Sequence, residues 1–379
     1  MGPSVDALKC LVFWEPCLSR HKLELFDAIA GQRPALRVVC CADTGWPSPA
    51  LTMDPPARVE LIVGPQSHAI EALIGADPRQ TLHVFSGLRW VPTIVAALHQ
   101  VRRSAAHCAI LSEPRVREGL RGWARWAQSW LTEGWLRRRV DFVLAQGRHG
   151  PPWFRSVGYP AEKIFPYAYF VEPLDIVPIE VGRAAARSDD RVRVGYVGRL
   201  VRAKGVFELV DAAGRLADAA HLALVGAGDA EPALRARAPG VAFRGPLPNV
   251  EAVAFMRDVD VLVLPSLTTD DGWGVVVSEA LMQGTAVVAS TAAGASLVLD
   301  DPLFGRHVPP GSADAIAQAI LALRDAGAFA SGQRARRMQR GRALLSADAG
   351  ARNLLAIIDW SRGQRPRPPD FCAAGEVRA

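Results

Sequence analysis

The chain has 379 residues, half of them hydrophobic and 22% charged, with a formal net charge of +6 and a pI near 9.2. That length exceeds one ordinary core, so two domains are expected, and the composition excludes a disordered or low-complexity chain. The positive balance favours anionic partners, and the six cysteines show no spacing of a zinc site or a disulfide framework.

No secretory signal is read at the start, because Asp6 and Lys9 interrupt the apolar residues and Glu15 follows. The uncharged stretch 281–299 is broken by glycines, Gln283 and hydroxyl residues, so no segment is obliged to cross a membrane. A reducing cytoplasm is the expected location. Short apolar runs at 8–13, 36–41, 59–63, 82–85, 108–111 and 142–145, set among longer polar segments, predict the strands of a parallel sheet. After the first run, a loop at 14–19 leads into a helix with Leu23, Phe26, Ile29 and Ala30 as its apolar stripe. An α/β sheet presents its cleft at such corners, which makes His21 a candidate acceptor or phosphate contact, or else part of a solvated helix start. By the same rule Glu113, in Ser112-Glu113-Pro114, is a candidate for receiving a hydroxyl.

Residues 115–139 combine Trp123, Trp126 and Trp130 at helical spacing with Arg117, Arg121 and Arg125, and close on Arg137-Arg138-Arg139. Arginine with tryptophan suits an anionic membrane surface; otherwise the indoles pack on the domain and the arginines are solvated. No nucleic-acid module accompanies the basic stretch, so nucleic acid is not expected as a partner.

Residues 171–190, with their prolines, arginines and alanine run, are expected to be a linker between an N-terminal domain at 1–170 and a C-terminal domain at 191–345. A strand from Arg191 leads into Gly198-Arg199-Leu200 and on to Lys204-Gly205. A helix follows with Val206, Leu209, Val210, Ala213 and Leu216 on one face. Arg199 and Lys204 at that strand end suit a diphosphate. Gly226-Ala227-Gly228 lacks the third glycine of a dinucleotide fingerprint, since Glu231 stands in its place, which weakens a nicotinamide reading. The apolar run 261–264 ends at Pro265-Ser266, and after a polar loop Asp271-Gly272-Trp273-Gly274-Val275 opens a helix carrying Glu279. Helix-start amides accept an anion and the two carboxylates accept hydroxyls, which together make a nucleotide-sugar site. Residues 346–361 are expected as a last helix, and 362–379 as a mobile tail.

Pro-Ser, then acid-Gly-aromatic-Gly-Val-Val-x-x-Glu-Ala, then Gly-Thr-Ala-Val-Val-Ala resembles the signature of glycosyltransferase family 4. The likeness is specific over about 191–320. It implies a GT-B fold: α/β, two Rossmann-like domains with parallel sheets facing an interdomain cleft, the last helix crossing back to the first domain. It also implies a retaining transferase that moves a sugar from a nucleoside-diphosphate sugar to a hydroxyl acceptor. Gly198, Arg199 and Lys204 would meet the diphosphate and Phe243 would lie where the strand backbone meets the base. Asp271 would hold the transferred sugar, Glu279 the ribose, and Gly272, Trp273, Gly274 and Val275 would form the helix entry. The family's first glutamate is replaced here by Asp271, one methylene shorter. Ser112 stands where several relatives place a histidine, and the glycine pair common in the first loop is missing. No metal and no further cofactor is expected. The best candidate acceptor is a lipid-linked glycan of a bacterial surface polysaccharide, bound through the first domain with the protein peripheral on the inner membrane face. A nucleotide-sugar epimerase or a phosphorylase of the same fold, and a noncatalytic membrane-associated sugar-nucleotide binder, are the alternatives.

Overall fold

The computed structural model describes residues 8–43, 56–175 and 190–373. They fall into two compact units: unit 1 takes the chain up to Glu172 and again from Ala347, and unit 2 takes Pro173–Ser346. Residues 176–189 of the expected linker, and 374–379 of the expected tail, lie outside the described residues.

Unit 1 is built on a seven-stranded parallel sheet. Its strands are β1 (Cys10–Glu15), β2 (Arg37–Ala42), β3 (Val59–Val63), β4 (Thr81–Ser86), β5 (His107–Ser112), β6 (Val143–Gln146) and β7 (Ile164–Tyr167), in the order β3-β2-β1-β4-β5-β6-β7. The central strands are buried along their length, as continuous apolar runs covered on both faces must be. Two differences from the sequence reading have clear causes. The first strand runs on through Trp14 and Glu15, which read as loop, because Trp14 Nε1 donates to His83 Nδ1 at 3.2 Å and Glu15 finds cationic and hydroxyl partners. β7 escaped notice because it is an edge strand carrying Pro166, a place where proline costs no ladder bond.

Unit 2 has a six-stranded parallel sheet. It comprises β8 (Val192–Val197), β9 (Ala220–Val225), β10 (Ala242–Phe243), β11 (Val261–Leu264), β12 (Ala286–Ser290) and β13 (Gly305–Val308), ordered β10-β9-β8-β11-β12-β13. The edge strand β13 also went unpredicted, since its central Arg306 and His307 are exposed and interrupt any apolar run.

The helix Ala347–Ser361 lies with unit 1, against the helix Arg20–Gln32. Arg33 Nη2 bonds both Asp359 oxygens at 2.9 Å, and a side chain at Gly350 would meet the Phe170 ring at 2.4 Å. As far as residue 373, the segment expected as a tail lies against unit 1. Arg367 donates to Glu162 O and Ile164 O at 3.1 and 3.0 Å and lies over the Phe165 ring at 4.2 Å, while Phe371 packs edge-on against Phe170. Proline and arginine read as mobile tail in the sequence, yet here the guanidinium satisfies a backbone carbonyl of the edge strand β7.

The basic stretch 115–139 is two helices, Gly119–Thr132 and Gly134–Arg139, broken at Glu133. Glu133 is 6% exposed and tied to Arg89 at 2.6 Å and to the Tyr159 hydroxyl at 2.9 Å. Arg137-Arg138-Arg139 does not form one basic patch. Arg137 donates to the carbonyls of Val157 and Trp130 at 2.9 and 2.7 Å, and Arg139 to those of Ser104 and Ala106 at 2.9 and 3.1 Å, leaving Arg138 exposed between two internal braces. No helix among the described residues is long and apolar enough to cross a membrane.

Candidate functional site

The loops after β8, β9, β10 and β11 are stitched to each other through backbone. Leu200 N donates to Ala227 O at 2.9 Å, Gly226 N to Gly245 O at 2.8 Å, and Leu267 N to Ala203 O at 2.9 Å. Such approach leaves no room for side chains: a Cβ on Gly205 would sit 2.0 Å from Pro265 O, and one on Gly226 would sit 1.9 Å from Gly198 O. Gly205 and Gly274 also take left-handed φ of 70° and 93°, each just before a helix, Val206–Leu216 and Val275–Met282. Gly205 and Gly226 are therefore positions where two backbones touch, whereas a Cβ on Gly274 would meet the Leu264 side chain at 2.6 Å. From behind, the buried Arg337 fixes the far end of the second helix by donating to Gly284 O at 2.8 Å.

This folding brings Lys204 and Asp271 together. The Lys204 ammonium forms an ion pair with one Asp271 carboxylate oxygen, and the Ser266 hydroxyl donates to the other. Both charges are largely buried, at 17% and 13% side-chain exposure. The sequence assigned the lysine to phosphate and the acid to sugar; the structure makes them neighbours. The loop that carries Asp271 is itself held, since Gly294 N donates to Asp271 O at 2.9 Å and Ala295 N to Trp273 O at 2.8 Å. Trp273 is fully buried with its Nε1 donating to Ser278 Oγ at 2.9 Å, so among the candidates it is a packing anchor for the helix entry, with no indole face open to a ligand.

Arg199 has an exposed side chain, and its carbonyl accepts from the Tyr196 hydroxyl at 2.8 Å. Burial, then the Asp271 charge, pushes that phenol well above its ordinary range, so it stays a neutral donor. Glu279 accepts from Asn249 Nδ2 at 2.9 Å and Phe243 lies under the Arg235 guanidinium at 4.3 Å; neither Asn249 nor Arg235 stood out in the sequence.

Unit 1 presents a second polar centre at the carboxyl ends of its own central strands, and most of it was missed. A pocket of about 380 Å³ is lined by Lys22, Arg89, Glu113, Gln146, Trp153 and Tyr169, among others. Glu15 at the end of β1 is 1% exposed and holds an ion pair with Lys22. Lys22 Nζ also donates to Ser86 Oγ at 2.7 Å, and Ser86 Oγ donates to Glu15 Oε1 at 2.6 Å. Burial raises the Glu15 pKa, against the opposing pull of Lys22 and Ser86. Of the two residues the sequence proposed here, Glu113 accepts from the Tyr169 hydroxyl at 2.7 Å, and His21 sets its ring 4.5 Å from that of Tyr169, tilted by 47°. Burial and the Lys22 charge lower the His21 pKa to about 3, which makes the ring a neutral group at physiological pH. Gln146 is 3% exposed, and its amide nitrogen meets no acceptor in hydrogen-bond geometry. Arg89 and Gln146 did not stand out in the sequence, since the partner of Arg89, Glu133, lies on another segment and an uncharged Gln146 ends an apolar strand.

The family model for "Glycosyl transferases group 1" matches residues 191–325. A putative teichuronic acid biosynthesis glycosyltransferase of Bacillus subtilis is 38% identical over 136 residues, 35% of this chain and 32% of that protein. An alpha-D-kanosaminyltransferase of Streptomyces kanamyceticus is 26% identical over 260 residues, 64% of each chain. The match thus spans about a third of the first relative's length. Among solved structures, Anabaena HepE in complex with UDP superposes with a TM-score of 0.71 at 15% identity, covering 93% of this chain and 100% of that one. With two parallel α/β sheets and this structural match over nearly its whole length, the chain has the GT-B fold, and its residues 191–325 are similar to the group 1 glycosyl transferases.

Proposed function

We propose that the protein transfers a sugar from a nucleoside-diphosphate sugar to a hydroxyl acceptor with retention at the anomeric carbon. The observation that carries this reading is the convergence of Lys204, Asp271 and Ser266 beside the start of the helix Val275–Met282. Departure of a nucleoside diphosphate builds negative charge on the leaving oxygens, and charge that develops late is stabilised most by donors already in place. Lys204, Arg199 and the first amides of the helix are such donors. A carboxylate offers about four lone-pair sites. With Lys204 and Ser266 occupying part of that capacity, Asp271 keeps room for a hydroxyl of the sugar being moved, and Glu279 for the ribose. Lys204 therefore serves two anions, with Asp271 holding it where the diphosphate arrives. The UDP bound to Anabaena HepE supports a nucleoside-diphosphate donor.

The acceptor belongs to the pocket of unit 1, whose paired donors and carboxylates suit a polyhydroxyl compound. A lipid-linked glycan of a bacterial surface polysaccharide, met at the inner face of the membrane, is the acceptor we favour; the teichuronic acid relative supports that setting. The test is a panel of UDP- and GDP-sugars, scored for donor hydrolysis and for protection against thermal unfolding. Turnover products are then followed by NMR for anomeric configuration. Donor turnover with a retained anomer supports the reading. An inverted product removes retention, a free epimer formed without acceptor points to an epimerase, phosphate-dependent release points to a phosphorylase, and binding without any turnover points to a sugar-nucleotide binder.

A further inference from the structure

The helix Gly119–Thr132 divides into three sectors when its residues are set about 100° apart. Gly122, Trp126 and Ser129 face unit 1: Gly122 and Ser129 are buried, and Trp126 Nε1 donates to Ser156 O at 3.0 Å. A soluble helix would place its polar residues opposite that face. Here the opposite side carries Leu120 and Leu131, 89% and 73% exposed, with Trp123 and Trp130 beside them at 66% and 49%. The polar sector, with Arg121, Arg125 and Gln128, is displaced to one flank. The three tryptophans that the spacing placed on one side are thus divided, one packed inward and two outward. Large exposed hydrophobics are otherwise scattered singly over the described residues, as is normal for a protein surface.

From this arrangement we infer that the outward face of the helix Gly119–Thr132 is a docking surface for an anionic lipid bilayer. Leucine and tryptophan enter the headgroup boundary and the flanking arginines meet lipid phosphates. The charges complement such a surface, since Arg117, Arg121, Arg125 and Arg138 are exposed on this segment, and Glu118 is the one exposed acid within it. Arg137 and Arg139 are excluded because each guanidinium is held by several backbone carbonyls, whereas Arg125 makes one longer bond, to Val116 O at 3.4 Å, and remains exposed. The helix is also tied to the acceptor pocket: Arg115, in the pocket wall, donates to Ser129 Oγ at 3.0 Å and Gln128 Oε1 at 3.0 Å, and Arg89 donates to Thr132 Oγ1 at 2.7 Å. Docking would therefore bring a membrane-borne acceptor to the pocket; in that purpose, but not in the contact itself, the inference rests on the transferase reading.

The test is sedimentation of the full chain with vesicles of phosphatidylcholine containing about a third phosphatidylglycerol, with tryptophan emission recorded alongside. The wild type is expected to co-sediment, to shift its emission to the blue, and to lose part but not all of its binding in high salt. A variant with Leu120→Gln, Trp123→Gln, Trp130→Gln and Leu131→Gln should partition at least about tenfold less, with unchanged circular dichroism. Arg121→Gln with Arg125→Gln should lower binding to the anionic vesicles and leave the residual binding to pure phosphatidylcholine unchanged. Failure of the wild type to co-sediment overturns the inference, as does a four-glutamine variant that binds like wild type. A wild-type dimer in light scattering that the four-glutamine variant dissolves would assign the face to a second copy and overturn it too. None of these readouts uses donor or acceptor, so donor hydrolysis judges the transferase reading separately.

Discussion

At the carboxyl ends of β8 to β11, unit 2 builds its site from backbone: glycines in contact with neighbouring carbonyls, a helix start and a few charged groups. At the carboxyl ends of β1, β4, β5 and β6, unit 1 builds its pocket from side chains, joining Glu15 to Ser86, Arg89 to Glu133 and Glu113 to Tyr169. The same sheet edge is thus finished in two chemistries. On the proposed reading, a diphosphate would be met by amides and cations that a short stretch of chain supplies in a fixed order. The pocket of unit 1, proposed for the acceptor, is assembled from residues distant in sequence, and substituting one of them would change its chemistry without disturbing the loop backbone.

The sharpest way to break the contrast is at the cation of unit 2. Lys204→Ala should lower donor turnover by about 10²–10³-fold with circular dichroism unchanged, and Arg199→Ala should act in the same direction, each by removing charge stabilisation of the leaving group. Wild-type turnover in both would show that the diphosphate lies elsewhere. The backbone character of the site is tested by Gly205→Ala, which meets Pro265 O and a left-handed φ together. Urea unfolding should show a loss of ~3 kcal/mol or more, and a loss within about 0.5 kcal/mol would mean that the two loops part readily.

In unit 1 the corresponding test is pH. His83 is fully buried, its Nδ1 accepts from Trp14, and burial lowers its pKa from 6.5 to about 4. Between those values the unfolded chain binds a proton that the folded ring refuses. The His83 contribution to stability is therefore full above about pH 6.5, falls as the pH drops, and is lost near 4, a change of ~3 kcal/mol, and His21, lowered to about 3, adds a loss in the same direction. His83→Gln keeps an acceptor for Trp14 without titrating, and its unfolding profile should be flatter over that range; an identical profile would remove His83 as the cause.

Asp271→Glu carries a smaller expectation. The longer carboxylate must refit between Lys204 and Ser266, and relative kcat/KM among donor sugars should change severalfold. An unaltered donor profile, with Asp271→Ala equally silent, would separate this acid from the sugar. The smallest effect is expected of Asn249→Ala, which removes one exposed hydrogen bond to Glu279 and should raise the donor KM by no more than about threefold.

The amino-acid order by itself determined the two strand series and the loops at 198–205 and 265–275, because continuous apolar runs and ordered glycines are local signals that survive without knowledge of their neighbours. It also singled out Arg199, Lys204, Asp271 and Glu279 as candidates. Only the tertiary structure paired Lys204 with Asp271, turned Trp273 and Trp126 inward, and made Arg137 and Arg139 braces. Only it, too, drew Glu15, a charged residue that reads as loop, into a buried strand end. Burial of an ionised or polar group is favourable only where a partner meets it, and these partners, Lys22 and Ser86 for Glu15 and distant carbonyls for the arginines, come from segments that sequence proximity does not connect.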